Sequence, residues 1–558
     1  MSHAPHPKKW TAIIVSLSLG LQSCVTTDPK TGKPSLGETF KQTFASDDPC
    51  ANNARNIGIV AGALIGGLIG NKVSGSNKAL GTVIGLGVGG ALGGLIGSEV
   101  DKRQCELAKI QKKYDLEMQV SPIEVQATEA NVSSAAQPQQ PQKVGLSVSV
   151  VDVDGKPQFQ SGSAILEPDA NIHFAEIARQ YSLKTQLDAL GSNATQRERD
   201  EVAQAFKRKR VLLIGHTDDT GSTKLNAELS EQRARAVAAL FKNNGVAEEQ
   251  LYYQGAGETL PIADNRTDDG RAKNRRVEIV DLSNEEVFNL YLQTRHANTA
   301  YYRPAEQAAT PGKQAGSNTG VAKSGSAKTA EQAVSKSASS PVTAKDVKRV
   351  APKTAAPGTM VASHSIDFGG VPFNSQVASL DVGEVKSPNK GLRLISEAQA
   401  SDMSAIRTCD LDRPRQTGAV KSLKGDKAVA TSDHLPGLYG RSWYDNVGGH
   451  LVMLNKVSVL RDGAAPANAP ELKVYTRYDA SKANARADVE LNPAVNTYQG
   501  SNGLLYRVFA EGEAGIKCMD ILWPQGSATE TKGGKILYSR ADRDYVVDFK
   551  PKMVNVKK

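Results

Sequence analysis

Large side chains are scarce in this sequence. Aromatic residues make up 5% of its 558 positions and hydrophobic residues 39%, with three tryptophans against 50 glycines. So lean a composition argues against one compact core spanning the chain, and two or three folded units joined by linkers are expected. Cysteine occurs five times and never as CxxC. That leaves zinc and thioredoxin-type redox readings weak, and no metal or cofactor is expected. RNP, zinc-finger and helix-turn-helix signatures are missing too, so no nucleic-acid partner is expected. The formal net charge is +9, of which Lys8 and Lys9 supply two. Such a charge suits polyanionic surroundings without singling one out. His216 has no Ser or Cys nucleophile at a recognisable spacing, and His434 and His450 lie near Asp433 and Asp445 only as often as chance allows. No catalytic residue is assigned, and the chain reads as a non-enzyme.

What is present begins with an address. Lys8 and Lys9 precede an apolar run, Trp10 to Gly20, too short for a conventional membrane-spanning helix. It leads into Leu21-Gln22-Ser23-Cys24, which resembles the bacterial lipobox. The resemblance implies a signal peptide over 1–23, cleavage before Cys24 and acylation of that residue. Val25 follows; without an Asp there as an inner-membrane retention signal, the resemblance implies delivery to the outer membrane. Several acyl chains anchor stably, since each buried CH₂ contributes about 0.8 kcal/mol. With Cys24 lipidated, Cys50, Cys105, Cys409 and Cys518 remain, an even number suited to an oxidising compartment. Three pairings are open. Cys50–Cys105 and Cys409–Cys518 are favoured, because each pair brackets or lies within one expected unit.

After a 24–56 tether, residues 57–98 are the most regular stretch. Gly58, Gly62, Gly66 and Gly70 recur every four residues, and after a polar break Gly81, Gly85, Gly89, Gly93 and Gly97 do the same. A four-residue step lines glycines along one helix face, where two backbones can approach closely. Each Gly costs about 1 kcal/mol against Ala in a water-exposed helix, so nine of them call for a compensating environment. Close packing in lipid supplies one, and neither arm carries a charge. A helical hairpin is expected, its turn at Lys72, Ser74 and Ser76. The pattern resembles the glycine-zipper segment of envelope lipoproteins. Whether the hairpin spans a membrane or self-associates into a homo-oligomer stays open. Residues 99–143 read as an amphipathic helix leaving the membrane, then a Gln/Pro-rich linker.

Residues 144–285 alternate strand and helix patterns: a strand at Leu146–Val153, a helix opened by Pro168, a buried strand at Val211–Ile214, a helix over Asn226–Lys242, and strands at Leu251–Gln254 and Arg276–Asp281. A mixed sheet covered by helices follows. Three ordered motifs occur here: Gly215-His-Thr-Asp218-Asp-Thr-Gly221, Asn226-Ala-Glu-Leu-Ser-Glu-Gln-Arg233, and Gly270-Arg-Ala-Lys-Asn274-Arg-Arg-Val-Glu. They resemble successive signatures of OmpA-like peptidoglycan-binding domains. The resemblance implies an α/β sandwich whose partner is peptidoglycan. It assigns Asp218 and Arg233 to the diaminopimelate of the stem peptide. Asn226 would line the same pocket, with Thr217, Thr220 and Gly221 shaping the loop. The chemistry agrees: the diaminopimelate side chain ends in an ammonium and a carboxylate, which one acid and one planar guanidinium can clasp. Arg271, Asn274 and Arg275 read as braces of the last helix–strand corner. An insertion over 182–210 has a charged helical part at Gln196–Lys209.

The second half is less specific. Residues 286–360 read as a terminal helix and a disordered linker with an r.m.s. span of roughly 40 Å. Residues 361–558 carry five strand-like runs, which argue for a mostly β domain of sandwich or barrel type. Trp443, Tyr444, Tyr506 and Trp523 read as core rather than ligand surface. The whole reads as a multidomain α+β chain, and the resemblances imply an outer-membrane lipoprotein gripping the wall from the periplasmic side. The alternative is an envelope enzyme or surface scaffold whose C-terminal domain carries the activity.

Overall fold

The computed structural model describes residues 91–125, 142–152, 156–295, 297–305, 365–385, 404–429, 434–460, 466–479, 481, 486–510, 512–525 and 528–554. The expected signal peptide, Cys24, Cys50 and the zipper up to residue 90 lie outside these residues, as does 306–360 of the linker. The chain forms two compact units. Among the described residues, the first holds those up to 301 together with 416–429, and the second holds the rest.

The first unit is built on a six-stranded mixed sheet. Its strands are β1 (Met118–Val125), β2 (Gln142–Val151), β3 (Arg210–His216), β4 (Leu251–Gly257) and β5 (Arg276–Leu282), with a short edge strand at Lys421–Ser422. In space the order is β1-β2-β5-β3-β4 and then the edge strand. Only β3 and β4 run parallel; the remaining pairs are antiparallel. The helices are α1 (Ala91–Tyr114), α2 (Pro168–Arg179), α3 (Leu183–Asp188), α4 (Gln196–Arg208), α5 (Thr223–Asn243), α6 (Asp268–Asn274) and α7 (Glu285–Thr294).

Period-two alternation divides the buried strands between two cores. Val211, Leu213, Val277 and Ile279 meet α1, α2 and α5 on one face. Leu212, Ile214, Val280 and Leu282 meet Val287, Phe288 and Tyr291 of α7 on the other. Covered on both faces, β3 is buried nearly throughout. α5 approaches the sheet closely because β3 and β4 present glycine to it. A Cβ on Gly215 would lie 2.0 Å from the Ser230 carbonyl oxygen, and one on Gly255 would lie 2.4 Å from the Glu231 nitrogen.

The N-terminal edge of this unit differs from the sequence expectation. α1 does not lead away as a free amphipathic helix. Val100, Leu107 and Ile110 are in the core, each contributing roughly 1.5–3 kcal/mol by burial. Arg103 is buried and paired with Glu99 and with Asp281 of β5, and Lys209 also reaches Glu99. These charges draw the helix onto the sheet. The sheet itself starts at Met118 rather than at residue 144, because β1, which precedes the Gln/Pro-rich linker, pairs with β2.

The second unit is a β-sandwich. One sheet has the order β11-β10-β9-β8-β17, from β8 (Arg441–Val447), β9 (His450–Val457), β10 (Glu471–Tyr475), β11 (Val489–Leu491) and β17 (Lys552–Met553). The other comprises β12 (Ala494–Gly500), β13 (Gly503–Phe509), β14 (Ile516–Trp523), β15 (Gly533–Arg540), β16 (Arg543–Asp548) and β6 (Val371–Pro372), in that order; β7 is the Lys421–Ser422 strand of the first unit. A single hydrophobic cluster joins the facing sides of the two sheets. Trp443 and Trp523 meet within it at 5.4 Å between ring centroids. Those two and Tyr506 are fully buried, whereas Tyr444 stays exposed.

Outside the six-stranded sheet lies segment 404–415. Arg507 is buried there between Asp520, at 2.7 Å, and Asp412, at 3.0 Å. Cys409 is bonded to Cys518 across 109 positions, with 6.0 Å between Cα atoms. Cys105 of the first unit is disulfide-bonded as well; its favoured partner, Cys50, lies outside the described residues.

Candidate functional site

The site grows from the turn between β3 and α5. Past His216, the Thr217 N–H donates to the Gly257 carbonyl at 3.0 Å, prolonging the parallel pairing by one step. The chain then bends, and the Asp218 carboxylate folds back over it. Its Oδ1 accepts from the Thr220 N–H at 2.9 Å and from the Thr220 hydroxyl. Gly221 takes a φ of +85°, which favours glycine. Ser222 then caps α5 by accepting from the Leu225 N–H. From inside the helix, Asn226 Nδ2 donates to the Thr220 carbonyl at 2.9 Å and to Glu258 Oε2 at 2.6 Å. Asn226 is therefore a buried brace beneath the loop rather than an open wall of a pocket. Thr217 is buried as well, and its hydroxyl has no hydrogen-bond partner among the described residues.

Four charges alternate beside this loop. Asp218 Oδ2 accepts from Arg275 Nη1 at 2.8 Å, and Arg275 Nε lies 3.4 Å from Asp152 Oδ2. Burial alone would raise the Asp218 carboxyl, but hydrogen bonds from Thr220 and Arg275 outweigh it and hold the group below its ordinary value. At Asp152 burial wins, and its carboxyl is pushed up. Arg233, on α5, is close enough to feel Asp152, Arg275 and Asp218 electrostatically. Its Nε donates to the Ser163 carbonyl at 3.0 Å, and its guanidinium lies over the Phe159 ring at 4.9 Å. The two outer nitrogens of Arg233 make no hydrogen bond among the described residues. The side chain is thus fixed at its inner end and presents an unused pair of donors at its outer end.

Asp218, Arg233, Asn226, Thr217, Thr220 and Gly221 all belong to this neighbourhood. α5 starts at Thr223, so Arg233 lies about 15 Å along the helix axis from its beginning. The helix N-terminus therefore serves the Asp218 loop and does not reach the guanidinium. Arg275 was expected only to brace a corner, yet it is the direct partner of Asp218. Its two companions do brace: Asn274 Oδ1 accepts from the N–H groups of Ile262 at 2.8 Å and Ala263 at 3.1 Å, and Arg271 donates to the Asn265 carbonyl at 2.8 Å. Asp152, Phe159 and Ser163 escaped sequence reading because they precede the motifs and reach the cluster only through folding.

His216 is buried, with Nε2 3.2 Å from Glu278 Oε2. Burial and the adjacent Arg276 push its imidazole down to about 4, so it is neutral at neutral pH. No hydroxyl or thiol nucleophile faces it among the described contacts.

These elements define the domain's class. Residues 184–275, which span β3, the Asp218 loop, α5, β4 and α6, match the OmpA family, and residues 57–104 match a glycine zipper. The chain thus carries an OmpA-family domain and a glycine-zipper segment that runs into α1. Outer membrane protein A of Bordetella avium is 42% identical over 14% of this chain and 43% of its own length. Peptidoglycan-binding protein ArfA of Mycobacterium bovis is 52% identical over 13% of this chain and 22% of its own. Outer-membrane lipoprotein YfiB of Pseudomonas aeruginosa is 45% identical over 13% and 42%, respectively. This chain therefore spans less than half the length of each of these relatives.

Proposed function

We propose that this chain is an outer-membrane lipoprotein that binds peptidoglycan non-covalently and ties the outer membrane to the cell wall. In this reading Cys24 carries the lipid, the zipper hairpin inserts into the membrane, and the first unit holds the wall from the periplasmic side. The names of the relatives matched at the OmpA-family domain support it, as do the lipobox and the zipper.

The ligand is the diaminopimelate end group of the stem peptide. Its carboxylate takes the two outer donors of Arg233 in a fork, and its ammonium takes the acidic side of the cluster, Asp218 with Asp152 behind it. Arg275 occupies Asp218 in the ligand-free domain and yields part of that carboxylate to the ammonium. The observation that carries the reading is Arg233: anchored by Ser163 and Phe159, half-buried, with its fork unmatched. A half-buried cation without a hydrogen-bonded anion is costly, and a ligand carboxylate would relieve that cost.

The test is sedimentation of the purified chain with insoluble peptidoglycan. Asp218→Ala and Arg233→Ala should each leave the protein in the supernatant while its melting transition stays cooperative. Co-sedimentation of both folded variants at the level of the unmodified chain would reject the site.

A further inference from the structure

We infer that Lys102, Lys207 and Arg208 form a basic rim that rests on anionic lipid headgroups where the zipper leaves the bilayer. The inference rests on the proposed insertion of the zipper.

α1 is one unbroken helix from Ala91 to Tyr114. Its first turns are the last turns of the zipper, whose family match runs to residue 104. No linker separates zipper from domain. Glu99, two positions past Gly97, is gripped by both Arg103 and Lys209. Lys209 belongs to the run Lys207-Arg208-Lys209-Arg210, which joins the end of α4 to the start of β3. That ion pair fixes the run level with the zipper's exit.

Within the run, Lys209 and Arg210 are committed inward. Arg210 Nη1 donates to the carbonyls of Arg208 at 2.9 Å and Lys209 at 3.0 Å, and its Nη2 pairs with Glu285 at 3.0 Å. The acids nearby are taken: Glu99 by Arg103 and Lys209, Asp281 by Arg103, and Glu285 by Arg210. Lys207, Arg208 and Lys102 are exposed and have no ion-pair partner among the described residues. From Gly97 to Lys102 the helix rises about 7.5 Å. A headgroup layer is roughly 5–7 Å thick on each side of the hydrocarbon. The unpaired cations therefore stand at the depth of the lipid phosphates, where each basic residue favours an anionic surface about fivefold.

The experiment uses the full chain reconstituted into phosphatidylcholine vesicles with or without phosphatidylglycerol. A photo-crosslinking amino acid replaces Gln204, which is exposed one turn before Arg208 on α4. Lipid capture should rise severalfold with phosphatidylglycerol, fall at high salt, and drop by about fivefold or more in the Lys207→Glu/Arg208→Glu background. Capture that ignores both lipid charge and the double reversal would overturn the rim. An alkaline carbonate wash of the Cys24→Ser chain, which carries no acyl anchor, reads the zipper separately. Protein that stays with the vesicles but captures no lipid refutes the rim alone; protein that captures lipid yet washes off keeps the rim and refutes zipper insertion.

Discussion

Asp218 and Arg233 are held in opposite ways, and the difference decides what each can do. Asp218 already holds Thr220 and Arg275 before any ligand arrives, so it shares its carboxylate between Arg275 and the ligand on binding. Arg233 is satisfied only at Nε and gains partners. Histidines set the acid limit of the same unit. Burial pushes His173 down to about 4, and burial together with Arg276 does the same to His216. Unfolded imidazoles take up protons near pH 6.5, so acid favours the unfolded chain. The melting temperature of the first unit should be level above about pH 7 and fall between about 6.5 and 4. Below about 4.5 a second fall should begin, because Glu99 and Glu278 are held at about 2. Their burial is outweighed by Lys209 and Arg103 at the first and by His216 and Arg276 at the second. Differential scanning calorimetry across pH checks this. The double variant His173→Gln/His216→Gln should lose the upper step and keep the part of the lower one that Glu99 supplies.

At the scale of elements, the site depends on how tightly α5 lies on β3 and β4. Gly215 and Gly255 leave no room for a methyl group. Gly255→Ala should lower the stability of the first unit by about 2–3 kcal/mol and weaken wall binding by shifting the helix that carries Arg233; urea titration with a sedimentation assay reads both effects. β3, α5 and β5 were legible in the sequence because their apolar periodicity is strong and their ends carry caps and turns. β1 was not. It has Pro122 at its middle and sits at the sheet edge, where proline is tolerated and the alternating pattern is diluted. The edge strand at Lys421–Ser422 was beyond reach as well. Two residues have no periodicity, and they pair with β4 across some 170 positions. α1 was legible as a helix but not in its placement, since Arg103 reads as a surface residue until Asp281 is found opposite it. In the second unit Trp443 and Trp523 read correctly as core, while the five expected runs, at 450–460, 471–478, 504–511, 535–539 and 545–549, leave out β8, β11, β12 and β14. β14 mixes Cys518 and Asp520 into an apolar run because its outer face meets the 404–415 segment.

At the scale of the whole molecule, the boundary expected near residue 360 is crossed more than once, because 416–429 belongs to the first unit and the described residues on both its flanks to the second. The second unit is closed by Cys409–Cys518 over 109 positions, a crosslink worth about 4–5 kcal/mol in the chain-entropy account. Cys409→Ala/Cys518→Ala should lower the melting transition of the second unit and leave that of the first in place, as resolved by calorimetry of the full chain. The central claim is that a zwitterionic end group bridges Asp218 and Arg233. It is tested most directly by titrating the full chain with two soluble stem peptides that differ only at the third residue, one bearing meso-diaminopimelate and the other lysine. Lysine keeps the ammonium and lacks the distal carboxylate. The account predicts saturable binding of the diaminopimelate peptide and at least about tenfold weaker binding of the lysine peptide, the loss of one charge-assisted fork. Equal affinity for the two peptides would contradict it.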